Sequence, residues 1–304
     1  MEHSKTISEN KNRDIIKEIG KNILMGIPAF RRWRATRPRS GAYFTGDDAE
    51  LERYAFSGLN MLRNHIGDIS GKSILEIGAG DFLTSGLAML GAGAESYGVI
   101  DNFPGDYTGA AAKRWYQAIE ENWSRFYPKL PWAENIRAAD FPEKYAEHLE
   151  LIAKPIETSA TKKKYEIICS FQVAEHIFDI DAFAEMHNRL LAPGGVAVHR
   201  VDFGPHDCWF YYRDPLTYLQ FSDSVWKMSG SNRGTPNRFR HHEFLAAFER
   251  ANLQVEVSST DNFKEQLINF DNLHPRFKKM PHESLLVGTA IYILSRKPLL
   301  GDRR

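Results

Sequence analysis

The stretch from Ser73 to Asp101, SILEIGAGDFLTSGLAMLGAGAESYGVID, decides the reading of this chain. It opens on a short apolar run, Ser73 to Ile77, which breaks at Gly78-Ala79-Gly80-Asp81. An amphipathic run follows, with Leu83, Leu87 and Leu90 on one face. The pattern predicts a strand, a tight glycine turn and a helix. A second β-rich run, Tyr97 to Ile100, ends at Asp101. That acid stands about 20 residues beyond the last loop glycine, where a nucleotide-binding unit carries its ribose-binding carboxylate. Both halves of a nucleoside site are therefore expected.

The loop also says which nucleoside to expect. A dinucleotide fingerprint has a third glycine about three residues after the second, so that the helix N-terminus meets a pyrophosphate. Leu83 stands there instead. A ligand with a ribose and no pyrophosphate fits better, and Glu76 before the loop points the same way. The residues resemble the class I S-adenosylmethionine-dependent methyltransferases.

The resemblance continues in order along the chain, over roughly residues 50 to 295. Ile136 to Phe141 (IRAADF) is similar to the third strand of that family, ending in the acid that meets the adenine amino group. YEIICSFQVAEHIFD, Tyr165 to Asp179, is similar to the fourth strand and its turn, including the pair Glu175-His176. RLLAPGG, Arg189 to Gly195, resembles the turn before a fifth strand, Val196 to Val201. Leu253 to Val257 and Leu285 to Leu294 look like the sixth and seventh strands. The implied fold is an α/β, Rossmann-like class I methyltransferase fold: a seven-stranded, mostly parallel sheet with helices on both faces. The implied cofactor is S-adenosyl-L-methionine. Its contacts would be Glu76, Gly78, Gly80, Asp101, Asn102, Asp140, Phe141, Ser170, Phe171 and His176, with Tyr43 closing over the methionine end.

Composition bounds the class. The chain has 304 residues, 42% hydrophobic and 26% charged, enough for an ordinary core in one large or two small domains. Lys+Arg and Asp+Glu are 39 each, so no global field recruits nucleic acid or an anionic membrane. Two cysteines, Cys169 and Cys208, support no disulfide framework and suit a reducing cytosol. No signal peptide and no apolar run of about 20 residues is present, so a cytoplasmic location without membrane contact is expected.

Residues 1–46 read as an N-terminal extension ahead of a methyltransferase domain spanning 47–304. Ile16, Ile19, Ile23 and Ile27 recur at helical spacing and predict an amphipathic helix that stops at Pro28, either laid on the domain or serving as a lid. Phe30 to Phe44 crowds Arg31, Arg32, Arg34, Arg37 and Arg39 among aromatics, which suits either an anion site or a solvated face. From Asp47 a helix is expected to about Ile66, with Leu51, Ala55, Leu59 and Leu62 inward.

Chemistry is expected after the fifth strand, because ligands of open α/β sheets bind at the carboxyl ends of strands. There HRVDFGPHDCWFYYRDP places His199, Asp202, His206 and Asp207. His199 or His206 is the candidate general base, with Asp202 or Asp207 fixing its tautomer. The same residues could instead brace the loop. With no dense carboxylate cluster, no metal is expected. Trp209, Tyr211 and Tyr212, in a helical cap inserted at about 203–240, and Asn237, Arg238 and Arg240 in the NRFR element, are candidates for substrate contact.

The expected activity is methyl transfer to an oxygen or nitrogen of a small molecule or glycan precursor, as in secondary metabolism. A S-adenosylmethionine cyclase or lyase giving methylthioadenosine, and a non-catalytic cofactor-binding protein, are the alternatives. A small-molecule acceptor is the expected partner. Ser170-Phe171-Gln172-Val173 stands where base-modifying relatives carry an Asn-Pro-Pro-Tyr type motif, which disfavours a nucleic-acid substrate.

Overall fold

The computed structural model describes residues 10–35, 45–153 and 161–297. A seven-stranded sheet runs in the order β3-β2-β1-β4-β5-β7-β6. Its strands are β1 (Ser73–Ile77), β2 (Ser96–Ile100), β3 (Leu149–Ile152), β4 (Tyr165–Phe171), β5 (Leu191–Asp202), β6 (Leu253–Asn262) and β7 (Val287–Arg296). The first five are parallel, and β7 runs antiparallel between β5 and β6. β1 and β2 show no apolar–polar alternation and are almost wholly buried, as strands covered on both faces must be. Strand order reverses between β1 and β4, which puts a crevice at their carboxyl ends.

The helices are α1 (Lys11–Gly26), α2 (Pro28–Ala35), α3 (Asp48–Leu51), α4 (Ser57–Ile66), α5 (Thr84–Gly91), α6 (Ala110–Phe126), α7 (Ile180–Leu190), α8 (Asp223–Gly230), α9 (His241–Arg250), α10 (Pro275–Lys278) and α11 (His282–Leu286). One face of the sheet packs on α4, α5 and α6 through Leu59, Leu62, Leu87, Trp115 and Ile119. The other packs on α7 and α9 through Phe183, Met186, Phe244 and Phe248. A separate apolar cluster, built on Trp209, Leu216, Tyr218, Leu219, Trp226 and Phe277, holds together the segment between β5 and α9. The helix expected from Asp47 to Ile66 forms as α3 and α4 joined by a π-helical turn, Glu52–Phe56.

The third strand is a correction. Ile136–Phe141 makes no strand: Ala138–Asp140 is a 3₁₀ turn and the strand beside β2 is Leu149–Ile152. Asp140 therefore stands at no strand end, and its carboxylate pairs with Lys144 at 2.6 Å. Phe141 is buried edge-on against Tyr116 of α6, so it is a core residue and not a cofactor contact.

The N-terminal helix is a second correction. Ile16 and Ile23 are 68% and 63% exposed, and Ile27 also faces out. Ile15 is buried and Ile19 packs part-buried on the cap's apolar cluster, but the rest of the buried face is polar: Asp14, Glu18 and Asn22. Asp14 accepts the Tyr212 hydroxyl at 2.9 Å, Glu18 pairs with Arg233, and Asn22 donates to the Met228 carbonyl at 2.9 Å. The helix is keyed to α8 by hydrogen bonds, because α8 and the turn after it present carbonyls and a guanidinium there. As expected, α1 stops ahead of Pro28, with Ile27 extended at its C-cap; Pro28 then opens α2, where its missing N–H costs nothing. Tyr43, Phe44, Arg37 and Arg39 lie outside the described residues, as do the side chains of Arg31 and Arg34.

Candidate active site

The glycine turn after β1 has the geometry its sequence predicts. Gly78 and Gly80 have φ of +75° and +74°, in the left-handed region that side chains disfavour. At Gly78 space is also closed, since a Cβ would come within 2.6 Å of Val173. The Gly80 N–H donates to Asp101 Oδ2 at 3.2 Å, and the Phe103 N–H donates to Oδ1 at 2.7 Å. Asp101 thus closes the turn across the carboxyl ends of β1 and β2, with Asn102 exposed beside it. Glu76 lies buried beneath, accepting the Tyr97 hydroxyl at 2.5 Å. Burial raises its carboxyl to about 8, against the Tyr97 hydrogen bond, which lowers it. Glu76, 3% exposed, shores the turn from inside the sheet.

At the ends of β4 and β5 a second group gathers. Gln172 takes a left-handed φ of +59°, and Ala174–His176 forms a 3₁₀ turn. Asp202, the last residue of β5, accepts the Gly204 N–H at 2.7 Å and the Gln172 amide at 3.3 Å. His206 Nε2 lies 3.7 Å from Asp202 Oδ2, within ion-pair range but beyond a hydrogen bond. The two side chains are 25% and 27% exposed, so this pair can meet a substrate. Burial raises the Asp202 carboxyl, but His206, the Gly204 N–H and Arg200 outweigh it and leave it below its usual range. The rings of His176 and His206 meet edge to face at 5.0 Å. Burial, with His206 nearby, pushes His176 down to about 4.

Gln172 links this group to a cavity of about 520 Å³. Phe171, Arg200, Arg53, Asn60 and His65 also line it, between α4 and the strand ends.

Several candidate residues have other work. His199 has no exposed surface. Its Nδ1 meets Ser170 Oγ at 2.8 Å and its Nε2 meets His187 Nε2 at 2.7 Å, between β5 and α7. It is a core histidine, not a base, and Ser170 is its partner and not a cofactor contact. Asp207 pairs with Arg233 at 3.1 Å, which also holds Glu18 of α1. Trp209 and Tyr212 are set in the cap, the first in its apolar cluster and the second on Asp14. Tyr211 stands at the surface, 51% exposed, against Phe210.

The NRFR element is likewise structural. Arg240 is buried and donates to the carbonyls of Phe203, Leu285 and Val287 and to the Tyr218 hydroxyl. Arg238 pairs with Asp223, donates to the Phe221 carbonyl, and lies over the Trp226 and Phe277 rings. Asn237 donates its side-chain amide to the carbonyls of Ala174 and Ile177 at 3.0 and 2.6 Å, and its N–H to the Glu175 carbonyl. It straps the turn that carries Glu175 and His176. The hydrogen bonds of these three side chains go to the protein's own carbonyls, the Tyr218 hydroxyl and Asp223.

Glu175 and Gln172 were not singled out by spacing, although Glu175 sits in the Glu-His pair that marked His176. His187 carries no sequence signal of its own, since its helix spacing is that of any inward residue.

The two groups share one end of a mostly parallel sheet. A glycine turn closed by an acid across β1 and β2, with polar residues at the tips of β4 and β5, defines a class I S-adenosylmethionine-dependent methyltransferase. A family model described as a methyltransferase domain matches residues 48–257, and the chain belongs to that family. S-adenosylmethionine is its cofactor; Gly78, Gly80 and Asp101 fit it, since the turn leaves backbone room and a carboxylate at the ribose position.

No curated protein sequence matches the chain. Among solved structures it is similar to YcgJ of Bacillus subtilis, at 12% identity and TM-score 0.44, over 80% of this chain and 99% of that one. It is similar to geranyl diphosphate C-methyltransferase of Streptomyces coelicolor A3(2), at 13% identity and TM-score 0.47, over 88% and 96%. Phosphoethanolamine N-methyltransferase 2 of Haemonchus contortus matches at 13% identity and TM-score 0.43, over 80% of this chain and 52% of that one. Among the described residues, no helix is long and apolar enough to cross a membrane.

Proposed function

We propose that the chain methylates an oxygen or nitrogen of a small molecule or glycan precursor, with the acceptor placed over the tips of β4 and β5. The observation that carries this is the half-open pair Asp202–His206, on the same sheet edge as the Gly78–Asp101 turn. S-adenosylmethionine, when bound, supplies a methyl group on a sulfonium, leaving S-adenosylhomocysteine. The chain's own share is to position the acceptor and to take its proton. His206 is the proton acceptor, and the anionic Asp202 stabilises the imidazolium that forms. The cavity of about 520 Å³ suits a small acceptor, and its Arg53, Arg200, Asn60 and His65 suit an oxygen-rich or anionic one.

The test is mass spectrometry of the protein with S-adenosylmethionine, alone and with panels of hydroxy and amino acceptors. S-adenosylhomocysteine that appears only with an acceptor supports the reading. Methylthioadenosine from the cofactor alone would replace methyl transfer by cyclisation or lysis.

A further inference from the structure

Three buried polar atoms at the tip of β4 lack any hydrogen-bond partner, and they converge. They are Glu175 Oε1, His176 Nδ1 and His206 Nε2. Their residues offer ligand atoms that all lie within 4.8 Å of one another. A buried polar atom left unpaired costs about 1–3 kcal/mol, so native proteins keep few of them. Three on residues gathered this closely call for an occupant. Glu175 is 2% exposed and cannot exchange its partner for bulk water.

The donor set says what occupant fits. Two imidazole nitrogens and one carboxylate suit a first-row divalent cation such as zinc, cobalt, iron or manganese; magnesium and calcium prefer oxygen alone. Two ligands on a tetrahedral cation lie about 3.4 Å apart, so no pair of ligand atoms needs to close in by more than about 1.4 Å. Nδ1 of His176 is buried with no hydrogen-bond partner, so its lone pair is free to ligate. Asp202 Oδ2, 3.7 Å from His206 Nε2, borders the group without belonging to it. The Asn237 strap holds the turn in this shape before any ion arrives.

We propose that Glu175, His176 and His206 form a binding site for one divalent transition-metal ion. This contradicts the expectation of no metal, which looked for clustered carboxylates in the sequence and not for histidines from two separate loops. The site stands on its own geometry; its role rests on the proposed methyl transfer and deepens it. The ion lies at the strand tips, where it can bind an acceptor through two oxygens, as in a vicinal diol or hydroxy acid. With the ion bound, His206 gives its lone pair to it, and Asp202 takes over from His206 as acceptor of the proton that the polarised hydroxyl releases.

The test is cobalt(II) and zinc(II) binding to the full-length, chelator-stripped protein, with metal content, the visible cobalt spectrum and S-adenosylmethionine affinity measured on the same samples. One equivalent should bind, with d–d bands of nitrogen and oxygen ligation. His176→Ala, His206→Ala and the isosteric Glu175→Gln should each weaken it at least about 100-fold while the thermal midpoint holds, and His206→Ala and Glu175→Gln should leave cofactor affinity unchanged. His282→Ala, at an exposed histidine, should change nothing. Binding weaker than millimolar in the unaltered protein, or binding that the three variants leave unchanged, overturns the site. Ligation by these residues without methyl transfer to any acceptor keeps the site and removes the proposed function. Methyl transfer that persists in a protein with no bound metal keeps the function and overturns the ion's role in it.

Discussion

His187 and His199 meet nitrogen to nitrogen at 2.7 Å in the core between α7 and β5. The tautomers follow from their other partners. His187 Nδ1 faces the Ala184 carbonyl at 3.2 Å and must donate, so its Nε2 accepts. His199 Nε2 then donates, its Nδ1 accepts, and the Ser170 hydroxyl donates to it. The chain of donors runs one way, with both rings neutral.

That arrangement predicts acid lability. Burial pushes His187 down to about 4, and burial with its neighbour pushes His199 well below its usual range. Between pH 6.5 and about 4 the unfolded chain binds protons that the folded chain refuses. The histidines' contribution to stability is therefore full above pH 6.5 and falls as pH drops through this window, by up to about 1.4 kcal/mol per unit for each histidine. Urea unfolding at pH 7.5, 6 and 5 checks the slope, and His187→Phe should flatten it.

Glu76 gives the opposite trend on the alkaline side. Its folded carboxyl is raised to about 8, so the folded chain holds a proton there that the unfolded chain loses near 4.5. Its contribution is complete below pH 4.5 and declines as pH rises through 8. Glu76→Gln should remove this decline, keeping the Tyr97 hydrogen bond and leaving cofactor affinity within a few-fold. A tenfold or larger loss in calorimetric titration with S-adenosylhomocysteine would instead make Glu76 a direct ligand.

The two turn glycines should respond differently. Gly78→Ala adds left-handed strain of about 1–2 kcal/mol and drives a Cβ into Val173, so both the thermal midpoint and cofactor affinity should fall. Gly80→Ala meets no neighbour and should show the strain alone. Asp101→Ala should weaken cofactor binding by about 10–100-fold, the worth of a hydrogen bond to a charged group, while releasing the Gly80 N–H. Equal effects at the two glycines would contradict the packing at Gly78.

Arg240 and Arg233 should behave as structural residues, each at its own place. Arg240→Met removes four donated bonds in the core and should cost about 3–5 kcal/mol of stability, with no change in acceptor KM for the protein that still folds. Arg233→Ala leaves Glu18 buried without its guanidinium and should free α1, read as faster proteolysis before residue 30 under native conditions. Ile16→Ser and Ile23→Ser should change stability by less than about 0.5 kcal/mol, because both side chains are exposed.

The central βαβ unit was legible in the sequence because its strands are buried on both faces and its turn needs glycine. The ends of the sheet were harder. β3 is four residues long and half-buried at an edge, so IRAADF mimicked it more strongly than LELI announced it. α1 was misread because an isoleucine stripe is the usual inward face, while here the cap offered carbonyls and Arg233 to the polar side. His199 and Arg200 are neighbours on one strand and so face opposite ways. Spacing does not say which of them meets the crevice until α7 is in place. The arginines of the NRFR element read as ligand-binding because a buried guanidinium is uncommon, and only the carbonyls of distant strand ends explain it.

The Asn237 strap also bears on the order in which the chain assembles. It joins carbonyls 63 and 60 residues earlier in sequence, across the whole of α7, β5 and the cap. Contacts of such long range close late, after the loop entropy between them has been reduced by other structure. The parallel half of the sheet up to β5 can pair without residue 237, but the Glu175–His176 turn cannot take its final shape. During synthesis the nucleoside end of the crevice is therefore ready first, and the acceptor end matures only when the last third of the chain has docked.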